Sequence, residues 1–266
     1  PPPPPPPPPP PRRFFFQAQP GIRDRSPSRG LGDVYKRQIR DSKYDGNIDI
    51  IVIDNDSYDG SSSMIRDRFP FVRLIENSEN LGFAKGVNIG LKEKLGDYIL
   101  ILNPDTVIEE RTLSVLKNYM EKNLEVGICG PKILNADGSL QLAFKRSFPT
   151  PWVELPKIWG LSKIFPNGKW TGKYNLTYLD SDERHSVEAI SGSFMFMRNA
   201  VLGDVGKLDE TFFMFGEDLD YCYRTIQAGF EIHYVPETQI IHYKGESVKS
   251  TPHDSVGWFY QAMNLF

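Results

Sequence analysis

The segment FFMFGEDLDYCYR, residues 212–224, places three carboxylates among aromatic side chains. Aromatic-rich segments are usually buried, and an ionised carboxylate is costly to bury without a partner. Asp220 and Arg224 have the i,i+4 spacing of a surface ion pair on a helix. Glu217 and Asp218 fall in the first turn of the same predicted helix, where the dipole favours anions. Because the aromatic run leads directly into them, we also consider acid–base chemistry beside a sugar-stacking wall.

Two more acids follow predicted strands. Asp54 lies near the end of IDIIVIDN (Ile48–Asn55), a β-branched run typical of a strand buried on both faces. Asp105 follows DYILILN (residues 97–103) by two positions. Ligands bind at the carboxyl ends of strands in open parallel sheets, so we expect both acids in one cleft. The NPDT turn can present Asp105 to Mg²⁺ or Mn²⁺, and the alternative is an Asx-turn that caps the strand.

The elements that must position these acids alternate along the chain. Apolar runs predict strands at 48–55, 71–77, 97–103, 126–134 and 189–199, with short strands over 231–243. Apolar stripes at helical spacing predict helices at 84–95, 110–123 and 217–230. This alternation indicates an α/β fold with a mostly parallel, Rossmann-like sheet flanked by helices. Residues 141–188 lose the pattern, so we expect loops and short helices that form a lid or an acceptor surface.

The first 38 residues differ sharply from the rest. They hold 13 of the 22 prolines and a charge of +5, whereas the remainder carries −8. Eleven consecutive prolines favour polyproline II, and the following residues have no strand or helix period, so we expect disorder. One interpretation is a proline-rich ligand for a binding module. We favour the interpretation that this segment is non-native, because a poly-C nucleotide tract would be translated as consecutive prolines. We expect the folded domain to span residues 39–266 and to lack its first strand.

Composition excludes several classes of protein. The net charge of −3 gives no footprint for nucleic acid. Cys129 and Cys222 lack CxxC spacing and are typical of buried thiols in a reducing compartment. We find no secretory signal, and no run approaches the ~20 apolar residues of a membrane span. We therefore expect a cytoplasmic protein, and we leave open a peripheral contact with the inner face of the cell membrane.

Two further segments carry weak signals on their own. NLGFAKGVNIG lacks both the GxGxxG and the Walker A pattern, although Gly82 precedes a predicted helix N-terminus, which can bind an anion. His242, in IIHYKGES, follows a short apolar strand. A lone histidine is more often structural than a ligand, so both assignments stay open at this point.

Taken together, the motifs resemble those of a known family. In order along the chain they are VIDNDSYDGS, NLGFAKGVNIG, LNPDT, SGSFMFMRN, LDETFFMFGEDLDYCYR and IIHYKGES. The set, over about residues 39–266, resembles family-2 glycosyltransferases of the rhamnosyltransferase-like branch. The resemblance implies a GT-A fold and inverting transfer of a sugar from a nucleotide sugar, dTDP-linked or UDP-linked. It also implies a glycan or lipid-linked acceptor in cell-surface polysaccharide synthesis, with dTDP-rhamnose as the expected donor.

The resemblance also implies roles in donor binding. Asp54 would hydrogen-bond the nucleotide base, and Asn55 and Ser57 would shape that pocket. Gly82 and Asn88 would line the nucleotide and sugar side of the cleft.

The same resemblance assigns the metal site and the base. The stretch from Asn103 to Asp105 takes the place of the family's metal-binding DxD, with Asn103 lining the donor in place of the first acid. Asp105 would hold Mg²⁺ or Mn²⁺ on the diphosphate, and His242 would be a further metal or diphosphate contact. Asp218 would be the general base, supported by Glu217.

The chain departs from the family at both ends. The proline-rich segment stands where the family has a first strand and a turn that help to hold the base, and the sequence ends earlier than expected. We therefore interpret it as an altered fragment with weakened donor binding. The alternatives are a non-catalytic scaffold, a nucleotidyltransferase, for which we see no glycine-rich triphosphate loop, and an adaptor that uses the proline tract.

Overall fold

The computed structural model describes residues 12–18, 48–93 and 96–243. Its strands are β1 (Arg12–Ala18), β2 (Ile48–Asn55), β3 (Arg73–Asn77), β4 (Tyr98–Leu102), β5 (Thr106–Ile108), β6 (Val126–Leu134), β7 (Lys145–Arg146), β8 (His185–Ser186), β9 (Ala189–Ile190), β10 (Phe194–Arg198) and β11 (Glu231–His242). Its α-helices are α1 (Ser61–Arg68), α2 (Phe83–Leu91), α3 (Thr112–Lys122), α4 (Pro151–Ile158), α5 (Leu161–Ile164), α6 (Asn199–Val205) and α7 (Glu217–Gln227), and a 3₁₀ turn spans Leu142–Phe144. Within these ranges, no helix combines the length and the apolar character that a bilayer crossing requires.

A nine-stranded sheet forms the centre of the fold. Its order is β3-β2-β1-β4-β10-β6-β11-β5, with β8 beside β11, and β7 and β9 form a separate pair. Strands β3, β2, β1 and β4 are mutually parallel, and β6 and β11 are parallel to each other. Since β10 runs antiparallel to both β4 and β6, these six strands share one direction. The predicted α/β fold with a mostly parallel sheet is confirmed.

The core forms where the apolar runs of the sheet meet helices on its faces. All five residues of β4 are buried, as are Ile50 to Ile53 of β2. Helix α3 contributes Leu116 and Met120, which are fully buried, at the helical spacing seen in the sequence. Burial of each such side chain contributes about 1.5–3 kcal/mol to the stability of the fold. The packed core therefore holds the strand ends that carry the polar residues in fixed positions.

One sequence expectation is wrong within the described residues. The first strand was expected to be missing and residues 1–38 disordered, but Arg12–Ala18 forms β1, parallel to both β2 and β4. Its aromatic residues suit a strand, and without it the facing edges of β2 and β4 would leave backbone groups unpaired at the centre of the sheet. Residues 1–11 and 19–47 lie outside the described part, so disorder there and a boundary at 39 stay predictions.

Two predicted elements have different continuity. The single strand expected at 189–199 is divided into β9 and β10. Conversely, the short strands expected over 231–243 form one twelve-residue strand, β11, whose register with β6 shifts between Val235 and Gln239. Pro236 lies in this interval and has no N–H to donate, so the irregularity absorbs it without ending the strand. The continuous strand carries His242 to a position opposite Thr106 of β5.

Candidate active site

The predicted site residues gather at the carboxyl ends of neighbouring strands. Asp54 lies near the end of β2, and Asn103 follows β4, with β1 between the two strands. The backbone N–H of Asn103 donates to the carbonyl of Ser193 at 2.9 Å. The adjacent N–H of Gly192 donates to Asp218 Oδ2 at 3.0 Å. These contacts bring the start of α7 to the end of β4. One edge of the sheet therefore carries three groups of candidate residues: Asp54 with its neighbours, Asp105 with His242, and Glu217 with Asp218.

The first group lies at the end of β2. Asp54 is 3% exposed, and its Oδ2 accepts hydrogen bonds from the Ser57 N–H at 3.3 Å and the Ser62 hydroxyl at 2.5 Å. Among the described residues, Asp54 Oδ1 and Ser57 Oγ are buried without a hydrogen-bond partner. Unsatisfied buried polar atoms are rare in folded proteins, so an acceptor and a hydroxyl here fit a polar ligand.

Asn55 contacts protein on both sides of its amide. Its Nδ2 donates to the Gly82 carbonyl at 2.9 Å, and its Oδ1 accepts from Asn77 Nδ2 at 2.7 Å. Phe83, which follows Gly82, donates its backbone N–H to the Phe213 carbonyl at 2.8 Å. Asn55 therefore joins β2 to the start of α2 and to the loop before α7. The geometry gives Asn55 a positioning role at the end of β2, and its expected part in shaping the pocket for the nucleotide base stays a prediction.

Gly82 begins α2 at a point of close approach. Its backbone has φ 81° and ψ 178°, a region that essentially only glycine adopts. A Cβ atom there would lie 2.4 Å from the Phe213 carbonyl oxygen and 2.8 Å from its ring. The glycine therefore serves packing against the loop before α7, whatever it contributes to anion binding at the helix N-terminus.

We expect Gly82→Ala to destabilise the fold by about 2–4 kcal/mol, because it adds a steric clash with backbone to an unfavourable φ. Gly138→Ala is the matched control, since Gly138 has φ 83° but a Cβ would meet nothing within 4 Å. Chemical denaturation measures both free energies of unfolding. Equal losses of unfolding free energy in the two variants would show that the clash with Phe213 does not contribute to the destabilisation.

Asn88 directs its side-chain amide to protein groups, and its expected place on the nucleotide and sugar side of the cleft stays a prediction. The residue is 1% exposed, and its Nδ2 donates to the Leu208 carbonyl at 2.9 Å and to Glu210 Oε1 at 3.0 Å. Its Oδ1 accepts the Leu208 N–H at 3.0 Å. Both amide protons and the amide oxygen are thus used to fasten α2 to the loop before α7.

The second group pairs Asp105 with His242. Asp105 is 8% exposed, and within the described chain its Oδ1 has no hydrogen bond. His242 Nε2 lies 3.2 Å from that oxygen, so the two atoms are in contact without hydrogen-bond geometry. His242 Nδ1 lies 3.0 Å from Gln141 Oε1. Because an amide oxygen only accepts, the Nδ1 atom that faces Gln141 carries a proton, and Nε2 is the ring nitrogen that faces the carboxylate.

This arrangement fits a divalent cation bound by few protein ligands. A carboxylate oxygen and an imidazole nitrogen converge, and Gln141 orients the ring as outer partners of metal-bound histidines commonly do. Across residues 48–93 and 96–243, no group of three or more His, Cys, Asp or Glu residues could hold a metal. Substrate phosphates and water would have to complete the coordination, as is usual for Mg²⁺. The Asn103 backbone N–H donates to the Ser193 carbonyl at 2.9 Å, and the Asn103 carbonyl accepts from the Thr106 hydroxyl at 2.7 Å.

The third group opens α7. Asp218 Oδ2 accepts from Arg146 Nη2 at 2.5 Å and from the Gly192 N–H at 3.0 Å, and Oδ1 accepts from the Leu219 N–H at 2.8 Å. The Asp218 and Arg146 side chains are 12% and 13% exposed. An ionised carboxylate has about four lone-pair sites, so three donors leave about one for a hydroxyl. The pair places a fixed, partly satisfied carboxylate at the edge of the sheet.

Arg146 is a site residue that sequence reasoning missed. Burial opposes its charge, but the attraction of the Asp218 carboxylate, its hydrogen bond and the neighbouring Tyr174 and Cys222 together outweigh burial, so the pKa of the guanidinium is raised. Arg146 lies in β7, which pairs with β9 and so approaches the start of α7. Gln141 was missed in the same stretch. Both belong to residues 141–188, where no periodicity separates a site residue from any other polar side chain.

The turn before α7 has a strained backbone. Phe215 has φ 69° and Gly216 has φ 84°, so two successive residues adopt left-handed conformations. A bulky residue at positive φ is an outlier that surrounding structure must hold in place. The turn delivers Glu217 and Asp218 together to the buried side of the helix, while Asp220 pairs with Arg224 Nη2 at 2.7 Å, as predicted.

Glu217 differs from Asp218 in forming no ion pair within the described part of the chain. It is 6% exposed, and Oε2 has no hydrogen bond among the described residues. Burial and the neighbouring Asp218 carboxylate raise the pKa of Glu217 well above its usual range. The carboxyl group is therefore held protonated near neutral pH, and it can donate a hydrogen bond that an ionised glutamate cannot.

We expect Glu217→Gln to stabilise the protein increasingly as pH rises. A raised folded-state pKa means that the folded protein binds more protons than the unfolded chain, so the stability from Glu217 is lost as pH rises through that pKa. Glutamine has no such loss, and the gain should reach on the order of 2 kcal/mol at high pH. Thermal unfolding from pH 5 to 9 measures it. Glu79→Gln, at an exposed site, is the control; a pH-independent difference for Glu217→Gln would contradict the expectation.

Comparison with known proteins identifies the family. Residues 34–206 match the family model described as glycosyl transferase family 2, and the match spans more than half of the chain. The chain belongs to glycosyl transferase family 2. It is therefore a glycosyltransferase, as the motifs suggested. The match ends before Glu217, Asp218 and His242, so the roles of these three residues depend on the geometry of this structure.

This family-2 glycosyltransferase is similar to rhamnosyltransferases and to solved GT-A structures. It is 28% identical over 230 residues to the N-acetylglucosaminyl-diphospho-decaprenol L-rhamnosyltransferase of Mycobacterium tuberculosis, covering 82% of this chain and 74% of the relative. S. aureus TarS matches with a TM-score of 0.62 at 13% identity, over 96% of this chain and 38% of that chain. A Pyrobaculum calidifontis mannosyltransferase, solved with GDP-Man and Mn²⁺, matches with a TM-score of 0.57 at 14% identity. This match covers 89% of this chain and 58% of the mannosyltransferase chain. The predicted GT-A fold is confirmed.

Proposed function

We propose that this glycosyltransferase transfers rhamnose from dTDP-rhamnose, with inversion, to a hydroxyl of a lipid-linked glycan precursor in cell-surface polysaccharide synthesis. The observation that carries the proposal is the contact chain from Asp218 through Gly192 and Ser193 to Asn103. It sets a carboxylate beside the end of the strand that leads to Asp105. The name of the mycobacterial relative supports the sugar and the type of acceptor. Family membership does not favour the alternative of a non-catalytic scaffold.

The pocket at the end of β2 supports a pyrimidine nucleotide. Asp54 Oδ1 can accept the imide N–H of thymine or uracil, and the Ser57 hydroxyl can donate to a ring carbonyl. Ser62 and the Ser57 N–H already hold the other carboxylate oxygen, so Asp54 is fixed in orientation. A site that hydrogen-bonds a polar group of its ligand binds analogues without that group much more weakly. This pocket would therefore select among nucleotide bases, and it would not distinguish between donor sugars.

Asp105 and His242 would hold a divalent cation, Mg²⁺ or Mn²⁺, with the donor diphosphate. When bound there, such a cation supplies positive charge that stabilises the departing diphosphate. Gln141 keeps the His242 ring in the required tautomer. Asn103 makes the site less charged than one with two acids, so we expect binding that depends on the diphosphate.

Asp218 would act as the general base. Inversion is a single displacement, so a base must take the acceptor proton on the face opposite the leaving group. Arg146 and two backbone N–H groups hold the Asp218 carboxylate in a fixed orientation, with about one lone pair for the acceptor hydroxyl. The protonated Glu217 beside it can donate to an acceptor oxygen. We expect this chemistry on the cytoplasmic side of the membrane.

A donor panel tests the proposal. The chain is assayed with dTDP-rhamnose, UDP-N-acetylglucosamine and GDP-mannose, each with a short-chain N-acetylglucosaminyl-diphospho-polyprenol as acceptor and with Mn²⁺, Mg²⁺ or EDTA. We expect metal-dependent turnover of dTDP-rhamnose, with an inverted anomeric configuration in the product by NMR. Turnover of a different donor would overturn the choice of sugar, and a retained configuration would overturn the role of Asp218. Absence of binding and turnover with every donor would overturn the whole proposal.

A further inference from the structure

Residues 151–173 expose an unusual number of large apolar side chains. Half of the twelve large apolar side chains that are exposed in the described part of the chain lie in this stretch, and three of the protein's four tryptophans are among them. The members of this apolar patch, 43–73% exposed, are Trp152, Ile158, Trp159, Ile164, Phe165 and Trp170. A concentration of exposed large apolar side chains in one segment favours an interaction site.

The patch has a fixed architecture. In α4, Val153 and Pro156 are buried. Trp152 and Trp159, which directly follows the helix, are seven residues apart and share an outward face. The indole N–H of Trp170 donates to the Trp152 carbonyl at 3.0 Å, which joins the following segment to the helix. The aromatic side chains are thus held outward by helix packing and a hydrogen bond.

The charges among these side chains have one predominant sign. Lys157, Lys163, Lys169 and Lys173 are exposed, and the single acid in the stretch, Glu154, lies 3.4 Å from Lys157. Lysine is depleted in protein–protein interfaces. Tryptophan, phenylalanine and isoleucine among lysines are instead typical of surfaces that lie in the headgroup region of a bilayer.

We infer that the apolar patch docks on an anionic lipid bilayer, with its aromatic and isoleucine side chains in the headgroup region and its lysines on lipid phosphates. Each lysine near an anionic surface adds to the attraction, and the apolar side chains add area that leaves water. This docking surface goes beyond sugar transfer and does not depend on it.

The patch lies next to the side of the site that would receive the acceptor. The Ser147 N–H donates to the Tyr174 carbonyl at 2.8 Å, and the Lys157 ammonium lies 4.9 Å from the Tyr174 ring. Ser147 follows Arg146, which holds Asp218. A docked bilayer would therefore adjoin the proposed base, where a hydroxyl of a membrane-anchored acceptor can reach it. Only this consequence rests on the proposed function.

Vesicle binding tests the docking without any donor, acceptor or metal. The full chain is sedimented with phosphatidylcholine vesicles and with vesicles containing one third phosphatidylglycerol. Because three of the four tryptophans lie in the patch, intrinsic fluorescence reports the same event. We expect binding to the anionic vesicles, a blue shift of the emission and quenching by brominated lipids.

Substitution of the patch isolates its part in binding. Trp152→Ser with Trp159→Ser and Phe165→Ser should lower the vesicle partition coefficient at least about tenfold. Phe71→Ser with Leu124→Ser, at side chains 62% and 73% exposed elsewhere, is the matched control and should bind like the parent. Lys163→Glu with Lys169→Glu should remove the preference for anionic lipid, whereas Lys122→Glu with Lys207→Glu should keep it.

Three outcomes would overturn the inference. They are no binding of the parent to either vesicle, equal binding of the parent and the patch variant, and a dimer that the patch substitutions dissociate without any vesicle binding. The last would mean that a second copy of the chain covers the patch. Since transfer to the short-chain acceptor is measured separately and without vesicles, loss of docking and loss of catalysis are distinguishable.

Discussion

Asp218→Asn is expected to lower the turnover number by about 10²–10⁴-fold while donor affinity stays nearly constant, because positioned general bases contribute about that much. The asparagine oxygen can still accept from the Gly192 N–H, so the local geometry is retained. Single-turnover transfer and calorimetric titration with the donor measure the two quantities separately. Turnover within about threefold of the parent would refute the role of Asp218.

Loss of the Asp218 charge also affects stability, which must be separated from catalysis. Arg146 would become a buried cation without its carboxylate, and its Nε already lacks a partner among the described residues. Breaking such a pair typically costs about 3–5 kcal/mol. The double variant Arg146→Gln with Asp218→Asn should recover much of that stability without recovering transfer. Asp204→Asn, at an exposed acid in α6, is the matched control and should leave both properties unchanged.

Local patterns predicted most of the elements because their signals are local. The continuous β-branched run of β2 gave its bounds to the residue, and α7 followed from the spacing of its apolar residues. The ends of strands pointed to Asp54 and Asp105, since parallel strands place their carboxyl ends at one edge. These inferences needed no knowledge of which segments lie next to each other in the fold.

The contacts that the sequence did not indicate at the site join residues that are distant along the chain. Gly82 packs closely on Phe213, and the Asn88 amide donates to a carbonyl 120 residues away, while their expected roles in donor binding stay predictions. Arg146 is 72 residues from Asp218. No periodicity records such pairings. The strand β1 was missed because its surroundings are rich in proline, although its own residues suit a strand.

The second large effect is expected at Asp105. Asp105→Ala removes the carboxylate that faces His242 Nε2, so binding of Mn²⁺ in the presence of dTDP should weaken at least about 100-fold. Electron paramagnetic resonance measures free Mn²⁺ directly, without turnover. Gln141→Leu should weaken binding about 10- to 100-fold, because His242 loses the partner that fixes its tautomer. Asp204→Ala is the control.

Asn103→Asp gives the converse test of the same site. It restores a second acid two residues before Asp105, and the backbone bonds of Asn103 to Ser193 and Thr106 do not involve its side chain. A second carboxylate near the cation should tighten binding of Mn²⁺ alone and make it less dependent on the diphosphate. If Asp105→Ala leaves binding unchanged and Asn103→Asp does not tighten it, the cation binds elsewhere. If both respond in opposite directions, the reduced charge at Asn103 explains why the site needs its substrate to bind metal.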